Sequence, residues 1–244
     1  MNALVRLLAW LLALTVVVLP VVAVLNGWFA AERWPLTQLR VSAEFQRVGA
    51  EQVQAAVRPH LGQGFFAVDL EGVRSALAGL PWVERVLVRK QWPDTLEIVL
   101  TEHRPAARWG ESRLLSDSGT VFEVPAMDTL TGLPHFDGPD GQTAAVLQMY
   151  RQVAELGARA GLRVERLALS PRGSWTAVTV DGAELVLGRT DPLPRLQRFV
   201  AALPELLRAD ARPLLRADLR YANGFALQWA EPTPAATAEP GQTT

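Results

Sequence analysis

Three histidines, His60, His103 and His135, are the side chains of this sequence best suited to bind a metal or move a proton near neutral pH. They fall in three separate segments with no ligand spacing, so each reads as a surface or boundary histidine. The chain has no cysteine, which excludes disulfides, thiolate metal sites and a cysteine nucleophile together. The serines of "LSDSGT" and "SPRGS" sit in turn-forming settings. Neither is on a nucleophile elbow, and no histidine is paired to them by pattern. The glycines build no phosphate loop after a strand, and the carboxylates scatter over solvent faces. The sequence therefore reads as a non-enzyme, with no catalytic, cofactor-binding or metal-binding set and no small-molecule substrate.

One cluster has the residue types of a nucleic-acid patch: "RKQWPD", residues 89–94. A site for single-stranded nucleic acid needs basic and aromatic residues extended over a surface. Here they are local, Glu84, Asp94 and Glu97 offset them, and the formal net charge is only -1. No nucleic-acid partner is expected. The stretch reads as a connection between two strands, with Trp92 packed over a small sheet and Arg89 and Lys90 solvated.

The elements that would position any site begin at the N-terminus. Residues 7–31, "LLAWLLALTVVVLPVVAVLNGWFAA", carry no charge. As a helix they would extend ~37 Å, against a bilayer hydrocarbon core of ~30 Å. The run predicts a transmembrane helix behind a short tail, residues 1–6, with Pro20 inside it and Trp28 and Trp34 at interfacial positions. A cleaved signal peptide has a shorter apolar region and a small-residue cleavage site, which the bulky Trp28 and Phe29 do not supply. Charge sets the orientation weakly, with Arg6 on the short side and Glu32 and Arg33 on the long side. A short tail before a long translocated region favours a cytoplasmic N-terminus.

Residues 35–104 read β-α-α-β-β. "PLTQLRVSAEF" is a short strand. "GAEQVQAAVRPHL" and "DLEGVRSALAGL" are helices, the second capped by Asp69. "WVERVLVRK" and "TLEIVLTEH" alternate with period 2. Two helices on a small sheet make an α+β module, in the order of the polypeptide-transport-associated (POTRA) module.

Residues 105–230 read as a mixed β domain with two packed helices. "AARWGESRLLSDSGTVFEV" predicts short strands and "LPHFDGPDG" a loop. "QTAAVLQMYRQVAELGARAG" predicts a helix. "LRVERLALSP", "SWTAVTVDG" and "AELVLGR" predict three strands, the last two joined by a two-residue turn at Asp181-Gly182. "DPLPRLQRFVAALPELLRAD" is a second helix, with Asp191 as its cap and Pro192 in its first turn. "LLRADLRYANGFALQWA" predicts a closing hairpin turning at Asn223-Gly224. Residues 231–244 are Pro/Thr/Ala-rich and predict a disordered tail.

"LPWVERVLVRKQWPDTLEIVLTEHRPAARW", "LLSDSGTVFEVP", "LVLGRTDPLPRLQRF" and "ADLRYANGFALQW" together resemble the FtsQ/DivIB family of bacterial cell-division proteins, in its Gram-negative form. The resemblance covers almost the whole chain, except that the family usually carries a longer cytoplasmic tail. It implies a non-enzymatic, single-pass (type II) inner-membrane scaffold of the divisome at the division septum, with both domains in the periplasm. Its implied partners are the coiled-coil division proteins FtsB and FtsL and further divisome components, with a segment of FtsB adding as a strand to the edge of the β domain.

On this sequence the resemblance assigns partner binding to Arg172, Arg220, Tyr221, Asn223, Gly224, Phe225 and Trp229, the two arginines facing acidic residues of FtsB. By residue type alone, Tyr221 also fits an ordinary strand tyrosine and Trp229 a core residue. Residues 225–229 carry no charge that would block strand pairing. The alternative function is a POTRA-bearing component of polypeptide export. It would call for repeated modules or a C-terminal barrel, and no run of long amphipathic strands is present.

Overall fold

A computed structural model of the chain describes residues 2–25, 34–125 and 127–231. The chain divides into two compact units, Met1–His103 and Arg104–Thr244.

Helix α1 (Asn2–Leu25) opens the first unit, with Pro20 inside it. It takes in most of the stretch read as a short tail. Large apolar side chains stand exposed along its described length, among them Leu8, Trp10, Leu11, Leu14, Val18 and Val22. The side chains described there are those of residues 8–22, a stretch of ~22 Å at 1.5 Å per residue. Among the described residues no helix is long and apolar enough to cross a membrane. The remainder of the uncharged run, residues 26–31 with Trp28, lies outside the described residues.

The rest of this unit is the expected β-α-α-β-β module. Strand β1 (Gln38–Ser42) precedes α2 (Ala50–Val57), which tightens into a 3-10 turn at Arg58–Gln63, where Pro59 removes a backbone donor. A single helical turn, α3 (Gly64–Ala67), stands between the two expected helices. Helix α4 (Leu70–Ala78) starts at Asp69, whose carboxylate accepts the backbone N–H groups of Glu71 (3.1 Å) and Gly72 (3.0 Å), as the capping pattern predicts. Strands β2 (Val83–Gln91) and β3 (Thr95–Glu102) follow. The sheet order is β1-β3-β2, with β1 parallel and β2 antiparallel to β3. Val53, Val57, Val73, Leu77, Leu96, Ile98 and Leu100 form the core. Glu102 is buried at the end of β3, where its carboxylate accepts the backbone N–H groups of Gln46, Arg47 and Val48 at 3.2, 2.9 and 3.3 Å.

"RKQWPD" links β2 to β3, as expected, but its side chains differ from expectation. Trp92 is 72% exposed and does not cover the sheet. The Lys90 ammonium is the group that turns inward, donating to the Phe66 carbonyl (2.9 Å) beside the Phe65 ring. Arg89 pairs with Glu97 at 2.7 Å. The reason is register: Lys90 lies opposite Leu96, on the face that carries the core, whereas Trp92, of the same parity, lies beyond the last paired residue, Gln91.

The second unit is one nine-stranded sheet carrying two helices. Its strands are β4 (Pro105–Trp109), β5 (Arg113–Ser116), β6 (Val121–Phe122), β7 (His135–Asp137), β8 (Val164–Leu169), β9 (Trp175–Thr179), β10 (Glu184–Gly188), β11 (Leu214–Asp218) and β12 (Ala226–Trp229). The order is β12-β11-β10-β9-β8-β7-β4-β5-β6. Helices α5 (Thr143–Ala158) and α6 (Pro192–Ala209) bury Val146, Val153, Leu196, Phe199 and Leu203 against Trp109, Phe136, Leu167, Leu185 and Leu187.

Four local expectations change. The segment "LPHFDGPDG" holds β7, a central strand parallel to both neighbours, with Phe136 fully buried. Three residues between prolines and glycines are too few for a period-2 pattern to register. Asp191 has φ 48° and makes no side-chain cap. The β9–β10 connection has four residues, not two, and Thr179 Oγ1 accepts the Ala183 N–H at 3.1 Å. Asn223-Gly224 falls inside a seven-residue connection, 219–225, rather than a tight hairpin turn. Of the tail expected to be disordered, residues 231–244, all but Glu231 lie outside the described residues.

Candidate functional site

Strand β12 is the last strand of its sheet. It pairs antiparallel with β11 only, Asp218 opposite Ala226 and Leu214 opposite Trp229, across a register shift between Leu214 and Arg216. Among the described residues no strand covers its outer edge, so its outward backbone donors and acceptors are open to a further strand.

Register brings three connections to one end of this sheet. Leu169 pairs with Trp175 across the β8–β9 turn, Trp175 with Gly188, and Val186 with Asp218. The turn carrying Arg172, the residues after Gly188 and the 219–225 connection therefore share that end. Hydrogen bonds hold the first and the last of these in shape. Ser170 Oγ accepts the Ser174 N–H at 2.9 Å in the turn, and Leu219 N–H donates to the Val186 carbonyl at 2.9 Å.

Arg172 is exposed in its turn. Arg220 is exposed but engaged: its Nε lies 2.9 and 3.1 Å from the Asp218 carboxylate oxygens and its Nη2 2.6 Å from Oδ2. The Arg220 guanidinium holds the Asp218 carboxyl below the usual carboxylate range. The stem of Arg220 lies over Gly188, where an added Cβ would come within 2.9 Å of Arg220 Cγ. Gly188 also has φ 81°, a second reason for glycine there.

Three arginines absent from the sequence reading join this end. Arg198 Nη1 donates to the Ala222 carbonyl at 2.6 Å and ties the 219–225 connection to α6. Arg195 and Arg189 lie beside Gly188 and Gly173. The available signal was "GRTDPLPRLQR", where Arg195 and Arg198 stand three apart on the first turns of a helix.

Tyr221 is 57% exposed and borders an open depression of about 440 Å³ lined by residues 221–226. Asn223 is exposed and Gly224 half-buried in the same connection. Phe225 turns inward, edge-on to Phe199 with centroids 5.4 Å apart, so it anchors the connection to the core. Trp229 is half-buried at the other end of β12. Of the seven expected contact residues, the structure gathers Arg172, Arg220, Tyr221, Asn223 and Gly224 at one end. It turns Phe225 toward the core and sets Trp229 a strand length away.

The arrangement suits an extended segment laid along β12 with acidic residues at the arginine end, where guanidinium forks bind carboxylates well. Among the described residues no group of three or more histidines and carboxylates stands close enough to hold a metal ion. His135 Nε2 and Asp137 Oδ2 form a separate pair at 3.1 Å.

The family described as "Cell division protein FtsQ/DivIB, C-terminal" matches residues 107–220, and "POTRA domain, FtsQ-type" matches residues 34–103. A cell division protein FtsQ of Xanthomonas campestris pv. campestris is 51% identical over 228 residues, covering 93% of this chain and 82% of that protein. The FtsQ of Shewanella oneidensis is 38% identical over 210 residues, 86% of this chain and 79% of its own length. The FtsQ of Neisseria meningitidis serogroup B is 30% identical over 226 residues, 92% and 94% respectively. Arg172 and Arg220 fall inside the FtsQ/DivIB match; Tyr221, Asn223, Gly224, Phe225 and Trp229 follow it.

Proposed function

This chain belongs to the FtsQ/DivIB family of cell-division proteins, and from that premise we propose that it is a non-enzymatic inner-membrane scaffold of the divisome, binding FtsB and FtsL through the edge of its nine-stranded sheet. The open edge of β12, flanked at one end by arginines, is the observation that carries this reading. A segment of FtsB adds along β12 by backbone hydrogen bonds, which are indifferent to sequence. Tyr221 and the arginines supply the selectivity, the arginines for carboxylates. Arg220 is itself exposed while Asp218 is largely covered, so Arg220 meets an acidic residue of the partner with the guanidinium donors it does not give to Asp218.

The membrane part of the reading rests on the uncharged run at residues 7–31 and on α1, whose described apolar side chains stand in the open. A helix apolar all round belongs in a large core or in lipid. The chain crosses the inner membrane once, with its N-terminus cytoplasmic and residues 35–230 in the periplasm at the septum.

The test is titration of FtsB–FtsL into the full chain in detergent, wild type beside Tyr221→Ala. Truncating an interface aromatic costs ~2 kcal/mol, a roughly thirtyfold loss of affinity. Unfolding temperature should hold, because Tyr221 is outside the core. Wild-type protein that is folded and does not bind would overturn the proposal.

A further inference from the structure

Large aromatic side chains gather, uncovered, at one end of the POTRA sheet. β1 begins at Gln38 opposite Thr95, the first residue of β3, and β2 ends at Gln91 opposite the same residue. The strand ends and the 92–94 turn therefore share an end. The Thr37 and Gln38 N–H groups both donate to the Asp94 carbonyl, at 3.1 and 3.3 Å, which fixes the chain's entry there. Trp34 and Phe66 belong to the same end. The Trp34 carbonyl accepts the Phe65 N–H at 2.9 Å, its ring meets Phe66 edge-on at 5.5 Å, and the Phe66 carbonyl accepts the Lys90 ammonium. Trp34, Phe66 and Trp92 are 42, 52 and 72% exposed.

Chain connectivity says what covers them. The uncharged run ends at Ala31, and only Glu32 and Arg33 separate it from Trp34. Three residue steps reach at most ~11 Å. If the run crosses a bilayer, Trp34 stays within ~11 Å of its end, and the sheet end bonded to Trp34 is held close to the headgroup layer. Aromatic rings with a polar edge partition to that layer.

We propose that the end of the POTRA sheet bearing Trp34, Phe66, Lys90 and Trp92 rests in the lipid headgroup layer, so that the module is seated on the membrane rather than held off it by a linker. The inference depends on residues 7–31 spanning the membrane. Seating removes the module's freedom to tumble and fixes which way its opposite end, at Ser42, faces.

The chain has no cysteine, so single introduced cysteines can be labelled in the full protein with an environment-sensitive fluorophore. Phe66→Cys, Trp92→Cys, Ser42→Cys and Leu11→Cys would be reconstituted into vesicles of phosphatidylethanolamine and phosphatidylglycerol. Spin-labelled lipids would quench at headgroup or mid-chain depth. The expected result is mid-chain quenching at Leu11→Cys, headgroup-depth quenching with blue-shifted emission at Phe66→Cys and Trp92→Cys, and aqueous behaviour at Ser42→Cys. Quenching at Leu11→Cys, with Phe66→Cys and Trp92→Cys as aqueous as Ser42→Cys, overturns the seating alone. An unquenched Leu11→Cys overturns the membrane span and the seating together. Equal quenching at Ser42→Cys overturns the assignment of one end.

Discussion

Individual side chains divide into those that hold the fold and those left over for a partner. Tyr221 and Phe225 stand four residues apart in one connection, yet only Phe225 meets the core, at Phe199. Phe225→Ala should lower stability by about 2 kcal/mol, roughly half the cost of deleting a fully buried phenylalanine, where Tyr221→Ala leaves it unchanged. Thermal unfolding of the two variants side by side checks this. Asp140 is a purely structural charge. Its carboxylate accepts from Arg113 Nη1 (2.8 Å), Arg113 Nη2 (2.9 Å) and Trp109 Nε1 (2.9 Å). These bonds, Arg113 first, hold its pKa at about 2, below an unfolded value of ~3.9. A depressed carboxylate stabilises the fold above its unfolded pKa, and that stabilisation disappears as pH falls toward its folded pKa. The unfolding temperature of the wild type should therefore decline between about pH 4 and pH 2. Asp140→Asn should start lower at neutral pH and be flatter across that window.

At the scale of elements, β12 matters for its position in the sheet more than for its composition. An edge strand carries outward amides that no neighbour protects. Hydrogen exchange at residues 226–229 should be fast for the outward amides of the free protein and slow once FtsB is bound. Unchanged exchange in the complex would rule out strand addition. Gly188 ends β10 with φ 81° and lies under Arg220. Gly188→Ala should cost ~1–2 kcal/mol for the left-handed backbone and push Arg220 from its place. Binding would then weaken beyond what lost stability explains, as titration at a temperature where the variant is folded would reveal. The three-residue β7 shows the limit of pattern reading: its place in the sheet comes from pairing with β4 and β8, and its own residues announce only turns.

For the whole molecule, the two units have separate buried clusters that share no residue. Glu102 belongs to the first, where it satisfies three backbone donors. Glu102→Ala should destabilise that unit by about 1–3 kcal/mol, since the buried Val48 N–H is stranded and the part-buried Gln46 and Arg47 N–H groups lose a charged acceptor. Calorimetry should show one unfolding transition moved and the other in place. The β-α-α-β-β order, the Asp69 cap, both long helices of the second unit and most of its strands were legible in the sequence, because hydrophobic period and capping chemistry are local. The family, too, was legible from residue patterns along the chain. Trp92 was not, because its exposure depends on where the β2–β3 register ends. Nor was the set of Arg172, Arg189, Arg195, Arg198 and Arg220 at one end of the sheet. These residues lie up to 48 positions apart, and no local rule relates them. What the sequence alone determined here is which segments become helices and strands and which family they compose. Which strand is left at the edge, and which side chains crowd beside it, was decided only by tertiary pairing, because register and sheet order are properties of contacts between segments distant in the chain.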